Sequence, residues 1–244
     1  MSACSADCFE SPGHNSSAPD STPATECSPS PPPDAKPPGI NPPEILCIGI
    51  GYIGFALRSL IYLLHVMDVS CIIDVRDRPF SERSPQFDFK NMISNVELMD
   101  ADIRYYWFGG SLGLDRWKDM QLSNKDAVKK HRHMQIPEFQ SYAAYMTTPH
   151  SKGVLADIKL LARGEAERGK RIVIMCDEEM FMRCHRRLIA DSLVAQGWIV
   201  LHMSQRPKEC MKHKLWGVGR VGPGGEVVYD VPPPPIAKKP VTYW

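Results

Sequence analysis

The densest run of reactive side chains lies between Cys176 and Arg187, where two cysteines, three acids, one histidine and three arginines stand within a few turns of chain. Thiolate is the nucleophilic form of cysteine, and nearby cations or a helix N-terminus favour it. Cys184 has both. Arg183, His185, Arg186 and Arg187 surround it, and an amphipathic pattern predicts a helix over Cys184–Gln196. Cys176 differs. It closes the apolar run Arg171–Cys176 and is followed by Asp177, Glu178 and Glu179, so burial and negative charge raise its pKa. Glu178 and His185 are groups that move protons once positioned. The candidate catalytic residues are therefore Cys184, His185, Glu178 and Cys176. The bland alternative for either thiol is that of a small buried hydrophobe.

Several chemistries fit this run. Phosphatase-type loops also place a cysteine after a strand and an arginine before a helix. Six residues separate Cys176 from Arg183, however, and the three intervening acids would repel a phosphate dianion. A zinc site could use Cys176, Cys184, His185 and a distant His150 or His202, but the two cysteines stand further apart than a zinc-binding pair. No metal is assigned. Rhodanese-like sulfur transfer, through a persulfide on Cys176 or Cys184, shares the strand–loop–helix layout. A thiol or acid–base site completes the set.

Arginine suits bidentate recognition of phosphate or carboxylate. Arg76 leaves the apolar run Cys71–Val75, and Arg83 lies in the polar, turn-rich segment Ser81–Phe87, the kind of loop that binds ligands. With Arg186 they are the candidate anion-binding residues. Gly49, Gly51 and Gly54 match a dinucleotide fingerprint, with Asp74 ending the next strand; the same glycines would serve any close strand–helix turn. The sequence names no cofactor.

These groups need elements to position them. Short apolar runs at Ile45–Ile50, Cys71–Val75, Ile103–Phe108, Arg171–Cys176 and Trp198–Met203 alternate with helical patterns. One such helix is predicted from an Asp88 cap through Met99, with Met92, Ile93, Val96 and Met99 facing inward. Residues 116–133, rich in Lys and Arg, read as a basic surface loop. The alternation predicts a three-layer α/β fold, a mostly parallel sheet with helices on both faces. Its ligand edge is where the strands end.

The chain has 244 residues and a net charge of +1. Half of its 22 prolines precede Glu44. Residues 1–43 carry Asp7, Glu10, Asp20, Glu26 and Asp34 against Lys36 and almost no apolar side chains, so a disordered Ser/Pro-rich tail is expected. The remainder, 44–205, is the α/β domain, and 206–244 reads as an irregular Pro/Gly-rich arm. Residues 44–244 together carry a mild basic excess, which suits a small anionic or nucleotide-like ligand, or nucleic acid, without the signature of a strong nucleic-acid binder. No membrane span or secretory signal is evident, so a reducing cytoplasmic or nuclear setting with free thiols is expected.

Segments at Ile48–Gly49, Asp74–Phe87, Ile103–Gly113, Phe139–Thr148 and Met175–Met203 follow one another in the order and register of a known family, with Cys176, Glu178, Cys184, His185, Arg186, Gly197 and His202 all in place. On these residues the chain resembles the domain of unknown function 488 family. Two positions depart from it. Ile50-Gly51 stands where the family has a His-Ser pair, and Ser111 interrupts its Leu-Gly-Gly. The resemblance implies an α/β fold and a shared pocket, and supplies no reaction. The functional expectation is an enzyme acting on a nucleotide or nucleic-acid-derived anion. The alternatives are sulfur transfer and a non-catalytic anion- or nucleic-acid-binding module.

Overall fold

Burial on both faces decides the architecture. In the computed structural model, which describes residues 43–51, 56–82, 84–203 and 210–233, three strands are apolar almost throughout. They are β1 (Glu44–Gly49), β2 (Val69–Asp74) and β4 (Arg171–Cys176). Strands buried on both faces need a helical layer on each side. They lie inside a six-stranded sheet of order β3-β2-β4-β1-β5-β6, with β3 (Arg104–Trp107) at one edge, then β5 (Ile199–Met203) and the edge strand β6 (Cys210–Lys212) beyond β1. All pairings are parallel except β5 with β6.

On one face Leu46, Ile48, Ile72, Val173 and Met175 pack against α1 (Leu57–Val66), α2 (Phe89–Ile93) and α3 (Val96–Asp100). On the other, Ile45, Cys47, Ile73, Ile172, Ile174 and Cys176 pack against the remaining helices. These are α4 (Gly109–Leu112), α5 (Arg116–Ser123), α6 (Lys125–Lys129), α7 (Pro137–Tyr145), α8 (Pro149–Glu167) and α9 (Arg186–Ala195). From β1 to β2 to β3 the chain moves outward and crosses over the first face. From β3 to β4 to β5 it moves back and crosses over the second. Crossovers of one hand require this swap of faces. As a result the segment leaving β4 turns to one face, and those leaving its neighbours β1 and β2 turn to the other. The crevice between them is where open α/β sheets hold ligands.

Four expectations change. The fingerprint reading needs its first two strands adjacent, but β4 lies between β1 and β2; Gly54 is outside the described residues. The helix predicted from Asp88 to Met99 breaks in two, because the Asn95 side chain accepts the Leu98 amide at 3.0 Å and starts a new helix. That rotates the apolar stripe: Met92 and Leu98 are buried, while Ile93, Val96 and Met99 are exposed. The basic segment after Asp115 is mostly helical. Its cations alternate with acids at helical spacing, in the pairs Lys118–Asp115 (2.9 Å), Arg116–Asp119 (3.3 Å) and Lys129–Asp126 (3.1 Å). The fourth concerns the arm.

Within the arm, residues 210–233 are tied in by one buried acid. Asp191 on α9 accepts the Tyr229 hydroxyl at 2.7 Å, the Trp216 amide at 3.1 Å and His213 Nε2 at 2.9 Å. The carboxylate accepts from His213 Nε2–H, and His213 Nδ1 pairs with His202 Nε2 at 2.8 Å. The arm adds β6 to the sheet and folds the hairpin β7 (Arg220–Val221) and β8 (Val227–Val228). Residues 1–42 of the predicted tail, 1–43, lie outside the described residues. Among the described residues, no helix is long and apolar enough to cross a membrane.

Asp191→Ala strands these donors in a dry interior and is expected to cost about 3 kcal/mol. Urea unfolding measures that loss, and limited proteolysis should find residues 210–233 newly cleavable. An arm as protected as in the wild type would show that other contacts hold it.

Candidate active site

The crevice beside β4 is a cleft of about 450 Å³. Cys176, Cys184 and His185 line it together with Arg76, Asp177 and Glu178. Register explains the convergence. Gly49 pairs with Cys176, and Asp74 with Met175, so the strand ends are level and their loops meet. The first loop residues continue the ladder, with Ile50 N donating to Cys176 O and Gly51 N to Asp177 O, both at 3.0 Å.

Behind the cleft lies Arg186, only 1% exposed. Its Nε donates to Cys184 Sγ at 3.2 Å and its Nη2 to the Glu178 carbonyl. Room for it comes from Gly49, where any Cβ would run into the Glu178–Glu179 backbone and the guanidinium. Arginine stays charged in proteins, and a buried charge without a partner costs several kcal/mol. Among the described residues no carboxylate forms an ion pair with Arg186, so Cys184 is the group placed to carry the balancing charge. Burial alone would raise the Cys184 pKa. The hydrogen bond with Cys176, together with His185 and Arg186, outweighs burial and holds it well below the ordinary thiol range. Cys176 goes the other way. Donating to Cys184, being buried and lying beside a negative sulfur all keep its proton on.

His185 lies against the same sulfur. Its Nε2 lies 3.1 Å from Val75 O, and a carbonyl only accepts, so Nε2 carries the proton in that bond. Nδ1 then faces Cys184 Sγ at 3.8 Å. The ring edge rests on buried Tyr142, at 5.4 Å between centroids. The three ligand atoms of Cys176, Cys184 and His185 lie within 4.8 Å of one another, so they could also hold a metal ion.

Arg76 clamps the loops. Its Nε and Nη2 contact the Asp74 carboxylate at 3.0 and 2.7 Å, its Nη1 reaches Asp177 at 3.1 Å, and Nη2 also donates to Phe87 O at 2.6 Å. Tyr105 donates to Asp74 at 2.6 Å. Arg76 thus spends its donors on the protein, and Arg186 turns its Nε and Nη2 to it as well. Arg83 is outside the described residues. Glu178 turns its carboxylate to the Met180 amide at 2.9 Å and shapes the loop. Sequence reasoning missed Tyr105 and misjudged the roles of Asp177 and Gly49. Asp177 counted only as a repelling charge, because nothing local shows that a residue from another strand neutralises it. The cations presented at the cleft mouth are Arg78, Lys118 and Arg183, with Asp115 bridging Arg78 at 3.6 Å and Lys118 at 2.9 Å.

Fold and cleft define a three-layer α/β protein with a paired-thiol site at the carboxyl edge of its sheet. The chain belongs to the family described as Domain of unknown function DUF488, whose model matches residues 56–193. That match runs from the approach to α1 into α9 and includes every candidate site residue. Neither the search of curated proteins nor that of solved structures gave a significant match.

Cys184→Ala leaves Arg186 buried without its anion and is expected to lose about 3 kcal/mol. Arg186→Met in that background should cost much less than in the wild type, giving a clear coupling in a double-mutant cycle. The pH sign follows from the depressed Cys184 pKa. Stability from this thiolate is fully present above the unfolded thiol value of 9.0 and lost as pH falls through the folded value. The wild type's advantage over Cys184→Ala should therefore shrink on acidification. Additive losses that do not change with pH would contradict the pairing.

Proposed function

We propose that this protein is an enzyme acting on a small anionic, nucleotide-like substrate, with Cys184 as its nucleophile. The observation that carries this reading is the buried Arg186 guanidinium, bonded to Cys184 Sγ at 3.2 Å with no carboxylate among the described residues to balance it. A thiolate stabilised in this way at the wall of a cleft is a nucleophile at neutral pH. Its sulfur lone pair would form a bond to an electrophilic centre of the substrate. The leaving group departs with the electrons of the broken bond and takes a proton from Cys176, whose new charge Arg186 then shares. Water or a second acceptor afterwards breaks the sulfur–substrate bond and returns the proton. Arg78, Lys118 and Arg183 at the mouth supply the attraction for an anion. Arg76 and Arg186 act through the protein, as clamp and counter-charge.

A second reading has its own observation. Cys176, Cys184 and His185 converge closely enough to ligate a soft divalent metal, and the Nε2–H···O bond to Val75 is the kind of outer contact that orients a metal-binding histidine.

Alkylation of the native protein with iodoacetamide at about pH 6 separates the readings. A nucleophilic site labels Cys184 well ahead of Cys176, and faster than either thiol of the unfolded chain. A metal site gives a protein that purifies with stoichiometric zinc and labels only after chelation. Slow Cys184 labelling without metal would overturn the nucleophile.

A further inference from the structure

A second cavity adjoins the thiol cleft and has a different character. It encloses about 410 Å³ and shares Asp77 and Arg78 with the cleft. Its walls are Pro79, Phe80, Phe89 and Trp107. Phe80 is 67% exposed, Trp107 41% and Phe89 39%, three aromatic side chains left in water around one hollow. Exposed aromatic clusters of this kind mark binding sites. The fold holds them there deliberately. Trp107 is the last residue of edge strand β3, and its Nε1 donates to Arg76 O at 2.8 Å, on the strand-end loop that carries the Arg76 clamp. Gly109 permits this, since a Cβ there would strike both Trp107 and the Arg76 carbonyl. Phe89 meets the Trp107 ring nearly edge-on, with centroids 5.8 Å apart and planes at 65°. The two rings thus form a corner, with Phe80 nearby.

Charge selects the occupant. The acids of this lining are occupied: Asp88 is buried and accepts the Ser81 amide at 2.8 Å, and Asp77 accepts the Asp115 amide at 2.8 Å. Its cations are Arg78, which stands largely in water with Asp115 3.6 Å away, and Lys90, exposed at the rim. An apolar aromatic corner with a cationic rim fits a planar ring that bears an anionic group. We infer that this cavity is the ring-binding subsite for a mononucleotide, with the base against Trp107 and Phe89 and the phosphate toward Arg78 at the border of the thiol cleft. Base stacking on aromatic side chains tolerates different bases, so recognition here is of a nucleobase as a class. This deepens the proposed function and rests on it only for the reaction, since binding can be measured without turnover.

The test is calorimetric titration of the full chain with adenosine monophosphate, uridine monophosphate, adenosine and ribose 5-phosphate. Both mononucleotides should bind at least about tenfold more tightly than ribose 5-phosphate, the size of one stacking contact. Adenosine should fall between. Trp107→Ala should abolish the advantage of the ring. Because Trp107 also bonds the Arg76 loop, Phe80→Ala is the second variant; Phe80 is largely in water, so its loss should weaken mononucleotide binding several-fold and leave the melting temperature unchanged. Ribose 5-phosphate binding as well as the mononucleotides, or Phe80→Ala and Trp107→Ala both binding like the wild type, would overturn the subsite. Titration reads ring binding and alkylation reads the thiol, so the two are separate measurements. Failure of Cys184 to label therefore removes the reaction and leaves the subsite standing, and failure of ring binding does the reverse.

Discussion

A guanidinium sealed at the end of a parallel sheet must find a negative charge inside the protein. Arg186 is that group, and its Nε donates to a sulfur. Much of the local architecture serves this contact. Gly49 has no side chain, so Arg186 can reach the Glu178 carbonyl. Cys176 keeps its proton and gives a hydrogen bond to Cys184. His185 is anchored at its far nitrogen, which leaves the near one facing the same sulfur. In this arrangement the Cys184 sulfur is held by contacts from Arg186 and His185 as part of the folded state.

The second constraint is the clamp at Arg76. It ties the segment after β2 to the segment after β4 by linking Asp74 with Asp177. Both ends are charged and largely removed from water, so the clamp holds only while all three groups are present. It fixes the cleft wall, and through its carbonyl it fixes Trp107. Thiol cleft and aromatic cavity adjoin and share Asp77 and Arg78 in their walls.

How much of this was legible in the sequence follows from the range of each interaction. Apolar runs and helical spacing predict the α/β sandwich because burial of both strand faces is written in consecutive residues. The strand ending at Cys176 is legible for the same reason, whereas the opposite shifts of the two thiols come chiefly from burial and from their hydrogen bond to each other, which no local pattern announces. The order of the strands is not legible either. That β4 inserts between β1 and β2 undoes the fingerprint reading of Gly49, Gly51 and Asp74, and no local feature announces it. Pairing of Arg76 with Asp74, two residues away, is legible beside the anion-binding reading, but its other partners, Asp177 and the Phe87 carbonyl, are not. The arm looked irregular because its anchor, Asp191, lies on a helix before it.

The central claim is that Cys184 is an anion in the resting protein because Arg186 requires one. Thiolate absorbs in the ultraviolet and thiol does not, so a pH titration of the folded wild type against Cys184→Ser reads the charge directly. The account predicts one thiolate present at neutral pH in the wild type and missing from the variant, disappearing on acidification well below the ordinary thiol value of about 8.5. A difference signal that emerges only near or above that value would show Cys184 protonated at neutral pH, and would contradict the pairing on which the site is built.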